Sequence, residues 1–146
     1  MIGTDPPGAG RGPESLAAMA RRMRDGALRP KELGTLGERY AAAWLERQGW
    51  RILDRNWRSR YGELDIVAAT PERVVAFVEV KTRRSLRCGP PQEAVDPRKR
   101  ACLRRAGAQW LLLPEHRLAH RGVRFDVVSI LVHGGVVRLH HIPEAF

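Results

Sequence analysis

The chain has 146 residues, 43% of them hydrophobic, the size and composition of one globular domain with a single core. No run of about 18 apolar residues occurs, which argues against a transmembrane helix, and the opening MIGTDPPGAGRGPES lacks the apolar segment of a secretory signal. The net charge of +10 is concentrated: residues 82–124 hold eleven basic and three acidic side chains, a net of +8, the footprint of a surface that contacts phosphates.

In chain order, residues 1–14 are rich in Gly and Pro and read as disordered. Ser15 to Arg24 reads as a short basic helix that DGALRP interrupts. Residues 1–33 are therefore set apart as a flexible basic extension, and the folded domain is placed at 34–146. Its first helix is expected over LGTLGERYAAAWLERQ, with Thr35 as cap, Glu38 at the capping-box position and Gly49 just past the end. Three strands follow, RILDRNWR, GELDIVAA and RVVAFVEVKT, with ATPE as a turn signal. GPP breaks the chain, and DPRKRACLRRAGAQWLLL opens a basic helix with Asp96 as cap and Pro97 at its first position. VRFDVVSILV, an HGG turn and VVRLHHI close the chain as a hairpin. The order αβββαββ defines an α/β protein, a mixed β-sheet flanked by helices.

The third strand is apolar yet carries Glu79 and Lys81. Alternation puts Val74, Ala76, Val78 and Val80 on one face, and Val75, Phe77, Glu79 and Lys81 on the other. In the strand before it, Glu63, Asp65 and Val67 share a face, opposite Leu64, Ile66 and Ala68. With the short ATPER connection the two strands form a hairpin, which sets Asp65 near Glu79 and Glu63 near Lys81, about 5 Å apart. Two carboxylates that close repel, and a hard divalent cation such as Mg²⁺ relieves them, since it takes one or two carboxylates plus waters and phosphate. Only three of the 26 basic residues are lysines, Lys31, Lys81 and Lys99, so a lysine at this place is a departure from the chain's habit. Its compact ammonium suits orienting a water or stabilising charge on a phosphate; a Glu–Lys ion pair at the sheet rim is the plainer alternative. Glu38 is a further candidate, because helical spacing puts it with Ala41, Ala42 and Leu45, or else it closes the capping box.

Asp65 followed by Glu79-Val80-Lys81 resembles the signature of the PD-(D/E)xK nuclease superfamily, although no proline precedes Asp65 in YGELD. LGERYAAAWLERQGWRILDRNWR, GELDIVA, VAFVEVKTR, EAVDPRKR, RFDVVSI and HIPEAF, over Leu36 to Phe146, resemble more narrowly the YraN family of bacterial proteins. That family is similar to archaeal Holliday-junction resolvases. The resemblance implies a restriction endonuclease-like core, with Asp65 and Glu79 as ligands of Mg²⁺ or Mn²⁺. It also implies Lys81 as the catalytic lysine, Glu38 as an accessory ligand or water-orienting group, and a homodimer. The activity implied is hydrolysis of phosphodiester bonds in DNA, of repair or recombination type, on branched or single-stranded substrates. A non-catalytic nucleic-acid-binding module with the same fold is the alternative.

Arg83, Arg84, Arg98, Lys99, Arg100, Arg104 and Arg105 flank the expected site and are assigned to nucleic-acid binding through phosphates. Of the four tryptophans, Trp44 and Trp110 read as core, and Trp57, beside Arg55, Arg58 and Arg60, is the one singled out for stacking on bases. Asp126 is expected to pair with Arg124, and the five histidines form no zinc set. Cys88 and Cys102 read as reduced thiols of a cytoplasmic protein.

Overall fold

A computed structural model describes residues 14–85 and 95–146. Residues 1–13, Cys88 and the GPP break lie outside the described residues, so the expectations placed on them do too. The elements are α1 (Leu16–Met23), α2 (Pro30–Arg47), β1 (Arg51–Ser59), β2 (Gly62–Ala69), β3 (Val74–Arg83), α3 (Pro97–Leu112), β4 (Gly122–His133) and β5 (Val136–Ile142). The five strands form one sheet in sequential order. Every neighbouring pair is antiparallel except β3 and β4, which run parallel with α3 in their connection. This is the expected mixed α/β architecture, compatible with a nuclease-like core.

β3 is the central strand, and its two faces are both covered. Ala76, Val78 and Val80 pack with Ile66, Ala68, Val128 and Ile130 against α1 and α2. Val75 and Phe77 pack with Val67 and Val127 against Leu103, Ala106 and Trp110 of α3. Fully burying side chains of this kind stabilises by roughly 1.5–3 kcal/mol each, so the alternation along β3 fixes which helix lies on which face.

Two boundaries differ from expectation. The line drawn at residue 34 falls inside α2, and α1 belongs to the fold: its Met19 and Met23 are 2% and 0% exposed, in the same cluster as Leu36 and Leu45. Ser15 caps α1, its Oγ accepting from the Ala18 N–H at 3.1 Å. α2 starts not at Thr35 but at Pro30, where proline's fixed φ and missing N–H suit a first helical position. The Arg29 N–H donates to Glu32 Oε1 (3.4 Å), and Thr35 instead donates its hydroxyl back to the Lys31 carbonyl (3.1 Å). Glu38 lies two turns inside the helix, free of any capping duty.

The close approach of α2 to β3 depends on Gly37. A Cβ there would meet Thr82 Cβ at 2.9 Å, nearer than side-chain carbons approach. The other helix ends as anticipated at its start: Asp96 Oδ1 accepts from the Lys99 N–H (2.8 Å) ahead of Pro97. Gly134 and Gly135, both with positive φ, turn the β4–β5 hairpin.

The alternation read for β2 breaks at Asp65. Leu64 joins Val67 in the cluster under α3, while Ile66 and Ala68 face α2. Across from this point on β1 stands Asn56, with φ of 52°, a left-handed conformation that asparagine tolerates better than most residues. The kink turns the strand end over, and it places Asp65 where the regular ladder with β3 stops at Ile66 and Val78.

Candidate active site

One further step of the β2–β3 register sets Asp65 against Glu79, as the hairpin reading required. Asp65 Oδ2 accepts from the Val80 N–H at 2.9 Å, so the carboxylate itself satisfies a backbone donor where the ladder has ended. The Asp65 and Glu79 carboxyls lie close enough for each to disfavour the charge of the other. Burial, then the Glu79 charge, push the Asp65 carboxyl from 3.8 up to about 8; the Val80 N–H pulls the other way, and Glu38 adds to the rise.

Glu79 is 5% exposed, and its Oε1 receives two ammonium groups: Lys99 Nζ at 2.7 Å and Lys81 Nζ at 3.2 Å. Lys81 comes from the same strand two residues on. Lys99 arrives from the first turn of α3. Burial opposes the Lys99 charge, but its hydrogen bond to Glu79 and the pull of that carboxylate outweigh it, holding its pKa above the ordinary value. The chain's two lysines outside α2 therefore meet on one oxygen. Lys99, assigned from sequence to the basic flank, is part of the site itself, and the rarity that singled out Lys81 applied to it equally.

Glu38 reaches the same cavity from α2. The Asn56 amide, turned so that its nitrogen faces the carboxylates, donates to Glu38 Oε2 (2.7 Å) and Glu63 Oε1 (2.9 Å). Burial raises the Glu38 pKa first, the Glu63 charge raises it further, and Arg55 opposes both. A cavity of about 290 Å³ joins Glu38, Glu63, Asp65, Glu79, Lys81 and Lys99, with Tyr61 and Cys102 on its wall.

The donors presented here are oxygens, with ammonium groups beside them, which suits a hard cation and no soft one. Among the described residues no group of three His, Cys, Asp or Glu side chains converges as a metal cage. Asp65 and Glu79 are the two-carboxylate set that Mg²⁺ accepts when waters and phosphate supply the rest.

The expected phosphate-binding residues are spread around this centre. Arg98 is exposed on α3. Arg100 donates through Nε to the Val95 carbonyl (2.8 Å), and with Arg104 it lies over the Phe146 ring, at 5.6 and 5.8 Å. Arg105 lies over Tyr61, as does Arg60. Arg83 ends β3, and Arg84 donates to the Asp25 carbonyl (2.8 Å), tying β3 to the α1–α2 connection. Trp57 is not offered to a ligand: it packs into the cluster under α3, edge-on to His116. Arg124 pairs with Asp126 as expected, at 3.0 Å, and His141 Nε2 joins the same carboxylate at 2.7 Å, a partner the sequence pattern did not point to.

Fold and site together define an α/β protein of mixed sheet whose carboxylate–lysine cluster gathers from α2, β2, β3 and α3. The family model described as "Uncharacterised protein family UPF0102" matches residues 37–130, which span every one of those contributions. A UPF0102 protein of Bifidobacterium longum subsp. infantis is 56% identical over 124 residues, 85% of this chain and all of the relative. One from Syntrophomonas wolfei is 47% identical over 80% of this chain and 98% of its own length. One from Rhodococcus opacus is 46% identical over 78% and 95%. The chain belongs to the UPF0102, or YraN, family. Among the described residues, no helix is long and apolar enough to cross a membrane.

Proposed function

We propose that this protein is a Mg²⁺- or Mn²⁺-dependent nuclease that hydrolyses phosphodiester bonds in DNA. The observation that carries the reading is the meeting of Asp65, Glu79, Lys81 and Lys99 at one cavity, beside the basic helix α3. Asp65 and Glu79 would hold the cation, which supplies a Lewis acid at the phosphate and lowers the pKa of a bound water. Lys81 would orient that water or steady the charge developing on the phosphate oxygens. Glu38, fixed by Asn56, stands where it can accept a hydrogen bond from the same water. Arg98 and the other arginines near α3 would hold the flanking phosphates without reading sequence. Branched and single-stranded DNA are the substrates to try first, and a homodimer would set two such sites against two strands. The compartment that fits this substrate is the cytoplasm.

The test is cleavage of labelled duplex, single-stranded and branched DNA with Mg²⁺ or Mn²⁺, comparing the natural protein with Lys81→Ala. Cleavage lost in the variant, with DNA affinity retained, is the expected result. Failure of the natural protein to cut any of them, with DNA still bound, would favour a binding module built on the same fold.

A further inference from the structure

Both ammonium groups sit on Oε1 of Glu79, one of the two carboxylates that the proposed reading gives to a cation, and this inference rests on that reading. Glu79 is 5% exposed in the central strand, so little room surrounds its carboxylate. A divalent cation and two ammonium groups around one carboxylate repel one another strongly, because they are like charges a few ångströms apart in a partly desolvated site. The more exposed of the two lysines is the one such a cation would displace. Lys81 is tethered two residues from Glu79 on the same strand, and its side chain is 29% exposed; Lys99 stands on a separate helix, 41% exposed, on a flexible stem open to the cavity mouth. Beside it lies Arg98, exposed at the start of α3.

We infer that Lys99 is an exchangeable phosphate-binding residue: it occupies Glu79 in the resting protein and moves to a backbone phosphate when a divalent cation takes that carboxylate. Cation and phosphodiester then bind cooperatively, since each removes an obstacle to the other. The released ammonium is left without its carboxylate until a phosphate arrives, and the phosphate finds that ammonium occupied until the cation comes. Linkage requires the same factor in both directions.

The experiment is calorimetric titration of Mn²⁺ into the natural protein, Lys99→Gln and Asp65→Asn, each alone and with a short phosphorothioate DNA duplex that resists cleavage. Glutamine keeps the helical propensity at this half-buried first-turn position, and circular dichroism confirms that each variant is folded. In the natural protein the duplex should tighten Mn²⁺ binding about tenfold, equivalent to ~1.4 kcal/mol. In Lys99→Gln, Mn²⁺ alone should bind about tenfold more tightly than in the natural protein, and the duplex should add little. If Lys99→Gln binds Mn²⁺ no more tightly, or keeps the full duplex effect, while Asp65→Asn loses binding, the exchange is wrong and the metal site stands. If Asp65→Asn binds Mn²⁺ as well as the natural protein does, the metal site itself is wrong, and the exchange with it.

Discussion

Replacing Asp65 by Asn should change how stability depends on pH in a direction opposite to that of an ordinary surface carboxylate. The Asp65 carboxyl titrates at about 8 in the folded protein against 3.8 unfolded, chiefly because burial and then Glu79 disfavour its charge. Between those values the folded state holds a proton that the unfolded state has released. Stability therefore falls as pH rises from about 4 to about 8 and is level above that. At about 1.4 kcal/mol per unit, a shift of roughly four units sets an upper limit of about 6 kcal/mol. Relaxation around the buried carboxyl lowers this, and about half of it is the working figure. For a domain of this size that corresponds to roughly 10 °C in Tm. Asparagine keeps an acceptor for the Val80 N–H but has no charge to form. In EDTA the variant should match or fall below the natural protein at pH 5 and melt clearly higher at pH 9. Thermal melts followed by circular dichroism at both values measure this, and the difference between the two proteins cancels the titrating groups that do not interact with Asp65. Parallel Tm values across the range would refute the account of a buried Asp65 whose charge is disfavoured beside Glu79. Saturating Mg²⁺ should flatten the dependence in the natural protein alone, by stabilising the ionised form it binds.

Two further outcomes follow from packing. Gly37→Ala forces a Cβ to within 2.9 Å of Thr82 Cβ and should cost about 1–3 kcal/mol in a denaturant titration, with Thr82→Ala restoring part of it. A cost within about 0.5 kcal/mol would mean that α2 does not need its close seat on β3. Asp126→Ala leaves Arg124 and His141 facing a vacated site that is 0% exposed, and should destabilise by about 3–5 kcal/mol; a melt that barely moves would show the pair to be dispensable.

Much of this arrangement could be read from local chemistry. Asp96 and Pro97 start α3, paired glycines turn the last hairpin, and period-two alternation along β3 separates the two packing faces. The hairpin register alone brought Asp65 to Glu79. What local pattern did not carry were features made by tertiary contact. Thr35 and Glu38 form a stronger textual cap than Arg29 and Pro30, yet packing of Leu33 and Leu36 in the core extends the helix toward its N-terminus. The Asn56 kink is a single backbone choice that turns Leu64 to the other face, with no hydrophobic period to announce it. Lys99 and His141 reach their carboxylates across 20 and 15 residues of chain, and spacing along one element says nothing of such distances. For Lys99 alone a textual sign existed, its being one of three lysines in an arginine-rich chain.

The parallel pairing of β3 with β4 has a consequence for synthesis. Ten residue pairs, from Val74 with Gly122 to Arg83 with Leu131, join segments separated by the whole of α3. Glu38, Asp65, Glu79, Lys81 and Lys99 are all translated before Gly122, so the complete chemical cluster leaves the ribosome while the central strand still has one naked edge. Pairings of this long reach close late, after the entropy of the intervening chain has been overcome. The nascent protein thus holds every residue of the cluster and the elements that carry them, but not β4 and β5, until residues 122–146 emerge, and an edge left open in that interval is where misassembly would begin.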